Sequence, residues 1–568
     1  MIDNLKNIFH SILIFLICFG ITNAQVERET RAVWLTTNYR LDWPPSSTDI
    51  QKQQQSLINI LEDIKEKNLN TVYFQIRSNG TMLCESSFDP SSPYITGKVG
   101  DKFPYDPFKF AIEEAHKRGL EIHAWLNVSN VYSGGEPDII NSIDHISNRK
   151  PEWIVKTMSE GKPIYWLDMG IPEVRTYLSD LIAEVNEKYD IDGIHLDYMR
   201  YPGKSFADEN SYKLYGNGKD KDNWRRENIN ELLRLVNEKT KSIKAYIKIG
   251  AAPIGIYKNQ KNASGLQGYS EVYQDSREWL KRGLVDYLVP QIYWGLNELP
   301  RFDLLAKDWT SNSEGRSIVI GIAAYKNKVY STMEDLINYS RSVHADGFSF
   351  FRYEHIKNYN FKSFPYKTLP ATMAWLNGYS PNSPYALKAK FIDTNKNIVS
   401  LNWKIEKNYG RGDSIKYYAL YSLPTYNSKL SAEDIFEIIS PENQSIKLGF
   451  TKPRKVNYYF TLKSLSRLWN ESLETSNIET IKFNELSLLA NINDVYESPI
   501  LQKEKEGGAR ILFYSKSDDI MLLDNGSSQL KKKIIKGKNF LSIDSDFLAG
   551  GKLNLQLEQS GKKYSLSF

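Results

Sequence analysis

Between about residues 31 and 376 the chain alternates short β-type runs with helical patterns, and nothing else in the sequence restricts the fold so strongly. The runs are Ala32–Thr36, Thr71–Arg77, Leu120–Asn127, Gly193–Asp197, Tyr246–Ala251, Val285–Tyr293, Ile318–Ala324 and Gly347–Phe351. Near-continuous apolar strands separated by helices predict a parallel sheet covered on its outer face. The helical segments carry their own signals. Leu57, Ile60, Leu61 and Ile64 recur at helical spacing, and Asp106-Pro107 reads as N-cap plus first-turn proline. Pro172 opens a helix with the stripe Val174, Tyr177, Leu178, Leu181, Ile182, Val185, and Ser331-Thr332-Met333-Glu334 fits a capping box. Eight such units, with no Gly-rich phosphate fingerprint after the first strand, predict a (β/α)8 barrel rather than an open doubly wound sheet.

Past Leu376 the period changes. Asn377-Gly378-Tyr379-Ser380-Pro381-Asn382-Ser383-Pro384 is turn-rich and reads as a linker. Alternating runs follow at Ile398–Ile405 with Trp403, at Lys416–Leu423 and at Val456–Leu462. Their spacing and the buried-Trp pattern resemble a fibronectin type III sandwich over residues 383–483. Residues 487–568 read as a second small β-domain, with Ile511–Tyr514, a turn at Asp524-Asn525-Gly526 and the alternation Leu553, Leu555, Leu557. The expected class is therefore α/β, a TIM barrel over residues 25–376 followed by two small all-β sandwich-like domains. Arg411-Gly412-Asp413 invites an adhesion reading, but such a tripeptide arises readily by chance in a turn.

Lys6, the apolar run Ile8–Ile21 and the small-residue site Thr22-Asn23-Ala24 predict a signal peptide over residues 1–24, too short for a stable span. A lipoprotein reading through Cys18 fails because Ile17 stands where a small residue is needed. Export to periplasm, surface or medium is expected, with no membrane span after signal cleavage. Only Cys84 then remains, so no internal disulfide forms, and no His or Cys cluster has metal-ligand spacing; neither metal nor cofactor is expected. A net charge of +5, evenly spread, predicts no nucleic-acid binding. Twelve Trp and 36 Tyr fit stacking platforms for sugars, and equally a Tyr-rich lineage with β-sandwich cores.

In a (β/α)8 enzyme the working side chains sit at the C-terminal strand ends and in the loops beyond them. There the richest stretch runs from Tyr189 to Pro202. Ile194 and Leu196 share one face of the strand, so period two puts His195 and Asp197 together on the inward face, with Arg200 and Tyr201 following in the loop. A carboxyl group in that partly desolvated place has a raised pKa that suits general-acid work, unless Arg200 holds it ionised. The competing reading is an Asp–Arg ion pair that only orders the loop.

At these positions a resemblance enters. Thr30–Thr37 with Asp42-Trp43-Pro44, Val72–Arg77, His123–Asn127, and Leu167-Asp168 before Pro172–Arg175 resemble the glycosyl hydrolase-like ten family, barrel proteins distantly similar to family ten glycosidases. The match continues through the Asp197 strand, Asp275–Trp279, Val285–Trp294, Gly321–Tyr325 and Gly347–Phe351, and covers nothing past about 376. It implies a hydrolase of glycosidic bonds in an extracellular or cell-wall polysaccharide, amino-sugar glycans such as peptidoglycan among the candidates. Many members carry two successive acids at the end of the fourth strand, whereas here Tyr198 fills the second position. The same strand remotely resembles that of chitinase-like hydrolases, but Met199 stands where their acid lies.

Glycoside hydrolysis ordinarily uses two carboxyl groups. Candidates to partner Asp197 are Glu354 past the eighth strand, Asp168 in the third loop and Glu85 after the second strand. Asp168 reads equally as a helix-start residue, Glu354 as a surface acid, and Asp286 as structural because it begins its strand. A substrate N-acetyl carbonyl could instead serve as nucleophile, with Tyr293 orienting it. His195, Arg200, Arg77, Asn127, Gln291, Tyr293 and Tyr325 are expected to bind sugar, and Trp34, Trp125 and Trp294 to stack on it or to pack the barrel. Two other readings stay open: a glycan-binding barrel without chemistry, and an adhesion protein whose β-domains do the work.

Overall fold

In the second strand, Thr71–Ser78, every residue is buried, as is every residue of the first, Thr30–Leu35. Burial on both faces is what a parallel sheet wrapped by helices demands. The computed structural model describes residues 28–568 apart from 377, 395–396, 407–414, 451–455, 484–499, 504–508, 516–517, 535–536, 549–551, 559–560, 562 and 568. The expected signal peptide, with Cys18, and the Arg411-Gly412-Asp413 turn lie outside the described residues.

The remaining parallel strands are Glu121–Asn127, Gly193–Asp197, Lys248–Ala251, Tyr287–Leu288, Ser317–Ile322 and Gly347–Phe350. Each pairs in parallel with its neighbours in order, and the first pairs with both the second (Val33 opposite Val72) and the eighth (Val33 opposite Phe350), which closes the barrel. Outward side chains such as Val33, Val72, Phe74, Ile122, Ile194 and Leu196 join the helices in one large core. Inward ones, Ala32, Trp34, Tyr73, Trp125, Tyr287 and Val319, fill the barrel itself. The sixth strand spans two residues rather than the nine of the expected run, because Pro290 has no N–H to donate to a ladder.

The helices follow the sequence signals with one exception. Asp106 caps helix Pro107–Lys117 by accepting from Phe108 N and Lys109 N, and helix Pro172–Lys188 buries its expected stripe except for the half-buried Tyr177. The capping box at Ser331 does not form: Thr332 is the N-cap, its hydroxyl donating to the Lys328 carbonyl and not capping the helix, and Glu334 instead accepts from the backbone N–H groups of Lys362 and Ser363. A second loop segment competes for that carboxylate and wins it.

Beyond the barrel, two antiparallel sheets face each other, one of Tyr385–Asp393, Ile398–Lys404 and Ser445–Gly449, the other of Ile435–Ile439, Tyr417–Leu423, Asn457–Leu465 and Glu479–Lys482. Leu401, Trp403, Tyr418, Leu420 and Leu462 pack between them. This sandwich sits against the N-terminal end of the barrel. Trp469 Nε1 donates to Glu121 in the barrel floor at 2.6 Å, Arg28 meets Glu471 at 3.1 Å, and Arg467 and Lys416 hold Asp190 at 2.6 and 3.1 Å. Two further antiparallel sheets lie between Ile500 and Ser567, with the Asp524-Asn525-Gly526 turn joining Asp519–Asp524 to Gln529–Ile534. No helix among the described residues is long and apolar enough to cross a membrane.

Candidate active site

At the C-terminal ends of the strands lies a cleft of about 320 Å³, lined among others by Trp34, Tyr39, Gln75, Trp125, Asn127, Asp197, Tyr198, Arg200, Gln291, Tyr293 and Phe351. Asp197 is the one carboxylate in this lining among the described residues. It ends the fourth strand, where the pleat turns its side chain inward and the open barrel end keeps it in reach of the cleft.

Burial pushes the Asp197 carboxyl up to about 6 against the pull of four groups. The backbone N–H of Tyr198 donates to Oδ1 at 2.7 Å, Arg200 contributes charge, and the Gln291 amide stands 3.4 Å from the same oxygen. The Trp125 indole also favours the charged form, yet its buried N–H makes no hydrogen bond of good geometry, which leaves a donor beside the acid. A carboxyl poised near 6 exchanges a proton readily at the pH of most biological fluids.

The backbone around the cleft is strained. Tyr39, Arg40 and Tyr198 all have φ of 54°, a region costly for residues with a Cβ. Here the Tyr198 peptide N–H donates to the preceding carboxylate, while the Tyr198 carbonyl accepts from Ser129. Tyr39 reaches across to the carbonyl of Gly134 and ties the loop after the first strand to the loop after the third. Gln75 fixes the same loop by accepting from Thr37 N and Asn38 N at 3.1 and 2.9 Å.

The structure brings Asp197, Arg200, Trp125, Asn127, Gln291 and Tyr293 together in the lining. Arg200 makes no ion pair within 4 Å among the described residues; its guanidinium lies over the rings of Tyr198 and Trp166, at 5.1 and 5.4 Å. The Asp–Arg pair that would only order the loop therefore does not form. Tyr325 is 43% exposed and packs on Tyr293 and Phe351 at the rim, and Trp294 stands beside it under the Lys326 ammonium.

Other candidates lie elsewhere. Glu354 is exposed and paired with Lys357 at 2.6 Å, since its short helix turns the side chain outward. Asp168 is buried away from the cleft, accepting from Ser211 Oγ at 2.6 Å and Gly170 N at 2.8 Å, and burial raises its pKa. Glu85 lines a separate surface depression. Arg77 is fully buried, pairs with Asp89 at 2.7 Å and donates to the carbonyls of Asn127 and Val128, so it braces the third strand's exit instead of meeting ligand. His195 lies one layer below Asp197, fully buried with both ring nitrogens engaged, because residues two apart on a tilted strand share a face but not a depth. Asp286 accepts from Ile249 N, Lys241 and Trp375 at the barrel's closed end.

Tyr39, Gln75, Tyr198 and Phe351 are cleft residues that side-chain type and spacing did not single out. Tyr39, Tyr198 and Phe351 follow strand ends, and Gln75 lies within the last half of the second strand. The rule that found Asn127 and Gln291 reaches them once the loops are included.

The C-terminal mouth of the closed barrel thus holds an acid, a guanidinium that makes no ion pair among the described residues, and a group of tilted and edge-on rings. The chain matches the family described as glycosyl hydrolase-like 10 over residues 29–338, and it belongs to that family. It is 30% identical over 484 residues to Glycosyl hydrolase YngK of Bacillus subtilis (strain 168), covering 79% of this chain and 93% of that protein. It is 36% identical over 334 residues to Glycosyl hydrolase DigH of Escherichia coli (strain K12), covering 54% and 75% respectively. Among solved structures, the PgaB (BpsB) glycoside hydrolase domain from Bordetella bronchiseptica aligns at 13% identity over 59% of this chain and 96% of that one, with a TM-score of 0.43.

Proposed function

We propose that this protein is an exported glycosidase of an amino-sugar polysaccharide such as the glycan of the cell wall, with Asp197 as its general acid. The observation that carries this reading is the pairing of one carboxyl, raised to about 6, with a cleft whose lining holds no second carboxylate among the described residues. Two-carboxylate hydrolysis needs its partner within about 10 Å across the scissile bond. Neither Glu354 nor Asp168 lines that space. A substrate with a 2-acetamido group brings its own nucleophile. Its carbonyl oxygen attacks C1 as Asp197 passes its proton to the departing glycosidic oxygen; water then opens the oxazolinium ring and returns a proton to Asp197. Tyr293, whose phenol is raised by burial and further by the Asp197 charge, is placed to hold the acetamido group. Arg200 and the rings of Tyr198, Tyr39 and Phe351 would bind the flanking sugars.

The run Ile8–Ile21 supports export. The three-plus-four sheet layout, with Trp403 packed on Tyr418 at 5.2 Å, supports a fibronectin type III kinship for the sandwich.

The test is release of reducing ends from purified cell-wall glycan and from chitohexaose by wild type and Asp197→Asn. Cleavage by wild type alone, lost when the glycan is de-N-acetylated, is expected. Equal cleavage by the variant removes Asp197 from the chemistry. Tight binding without cleavage by both favours a glycan-binding barrel.

A further inference from the structure

A single file of hydrogen bonds runs down the barrel axis from the cleft to the sandwich. Trp34 Nε1, in the cleft lining, donates to His195 Nε2 at 2.9 Å. His195 Nδ1 lies 3.2 Å from the Tyr287 hydroxyl, which lies 2.7 Å from His123 Nδ1. His123 Nε2 faces Glu121 at 3.4 Å, and Glu121 accepts from Lys248 and, at 2.6 Å, from Trp469 of the sandwich. All these side chains are at most 3% exposed.

Donor chemistry gives the file a direction. An indole N–H only donates, so His195 must accept at Nε2 and carry its proton on Nδ1, which donates to Tyr287. Burial depresses His195 ionisation, so it keeps this neutral form. Glu121, held ionised by Lys248, only accepts, so His123 offers it Nε2–H and takes the Tyr287 proton at Nδ1. Two glycines make the room. A Cβ at Gly193 would stand 2.5 Å from the His123 ring, and one at Gly250 would stand 2.0 Å from the ring of Tyr287. Tyr73 stacks on His195 with centroids 4.0 Å apart and planes 6° apart, which fixes the imidazole plane.

We propose that His195 is a positioning residue that locks Trp34 in the floor of the cleft, and that the file makes Trp469, and so the sandwich, part of the hydrolytic unit. Without His195 the Trp34 N–H would be an orphaned donor in a ring-lined interior, at a cost that favours another indole orientation. Without the Trp469 N–H, Glu121 loses one of its three donors, and His123 and Tyr287 lose part of the fixed end against which they are aligned. The effect on glycan cleavage rests on the proposed hydrolase reading; the tautomer pattern does not.

The test uses the full chain with 15N-labelled histidine, in wild type, His195→Phe and Trp469→Phe; the last keeps a ring stacked on Tyr417 but lacks the N–H. The expected wild-type spectrum shows His195, assigned by its loss in His195→Phe, as a neutral Nδ1–H ring from pH 5 to 8. Trp469→Phe should shift the His123 signals. Both variants should raise KM for chitohexaose about five-fold with kcat within about two-fold, the mark of a cleft floor whose contribution to binding is lost equally in ground and transition states. A His195 that carries its proton on Nε2, or titrates in that range, overturns the file. Shifted His123 signals with unchanged KM in both variants overturn the link to the cleft. If wild type cleaves nothing, the hydrolase reading falls and the spectrum alone decides the file.

Discussion

Tyr198 holds the carboxylate of its own chain neighbour Asp197, donating its peptide N–H to Oδ1 at 2.7 Å from a backbone with φ of 54°. This donor limits how far desolvation raises the acid: burial drives the carboxyl up, and the N–H, Arg200, Gln291 and Trp125 draw it back to about 6. An acid left near 6 is still protonated in part at neutral pH, and once ionised it is a base of matching strength.

Because the acid form is the working form, kcat/KM for glycan cleavage should fall as pH rises through about 6, and stay level below that as far as the fold survives. Asp197→Asn should lower the rate by about 10²–10⁴-fold, the usual worth of a positioned proton donor. A pH–rate profile of the free enzyme checks both. A rate that climbs through 6 would make Asp197 a base.

The same shift has a consequence for stability. The unfolded chain ionises Asp197 near 3.8 and the folded chain near 6, so the unfolded state loses its proton first. Stability contributed by the neutral carboxyl is complete below about 4 and is lost between there and about 6. Asp197→Asn should therefore stabilise the fold at pH 7.5 by up to about 3 kcal/mol and do little at pH 3.5. Urea melts at the two pH values measure the difference.

Arg200 lowers the Asp197 pKa through its charge without contacting it as an ion pair. Arg200→Gln should move the alkaline limb of the pH–rate profile upward by a fraction of a unit. It should also raise KM, since the guanidinium that lies over Tyr198 and Trp166 lines the cleft and makes no ion pair among the described residues, so it keeps donors for sugar hydroxyls. A limb that moves downward would mean that the charge acts on some other group.

Glu354→Gln and Asp168→Asn should each leave kcat/KM within about two-fold of wild type. Glu354 has only an exposed pair to lose, worth at most about 1 kcal/mol. For Asp168 the amide oxygen can still accept from Gly170 N, and the amide NH2 can donate to Ser211 Oγ, whose own proton then goes to the Asp208 carbonyl. A thousand-fold loss in either variant would restore a second carboxylate to the mechanism.

Much of this was legible in the chain. The eight strands, the Asp197 strand to the residue, and the Asp106 and Pro172 helix starts follow from periodicity and capping chemistry, which are local. What escaped was set by distance in space. Arg77 looked like a strand-end sugar ligand, but its partner Asp89 arrives from a loop that no spacing rule places. His195 shared a face with Asp197, yet sequence period gives the face and not the depth, and Trp34 and Tyr287 close over it. Nor could residue type announce left-handed turns at Tyr39, Arg40 and Tyr198, positions that glycine would have marked.

Gly250 offers the sharpest test of the barrel interior. It lies in the fifth strand, paired on both sides, so its backbone cannot retreat. A Cβ there would meet the Tyr287 ring at 2.0 Å, and that ring is held by two histidines. Gly250→Ala should cost about 2–3 kcal/mol or more, the range of overpacked cores. Gly203→Ala is the matched control: nothing stands within 4 Å of its Cβ position, and the change should stay within about 0.5 kcal/mol. Urea midpoints of the two variants decide the point. Equal and small losses would mean that Tyr287 can swing aside, and with it the contact that carries Trp34 to the floor of the barrel.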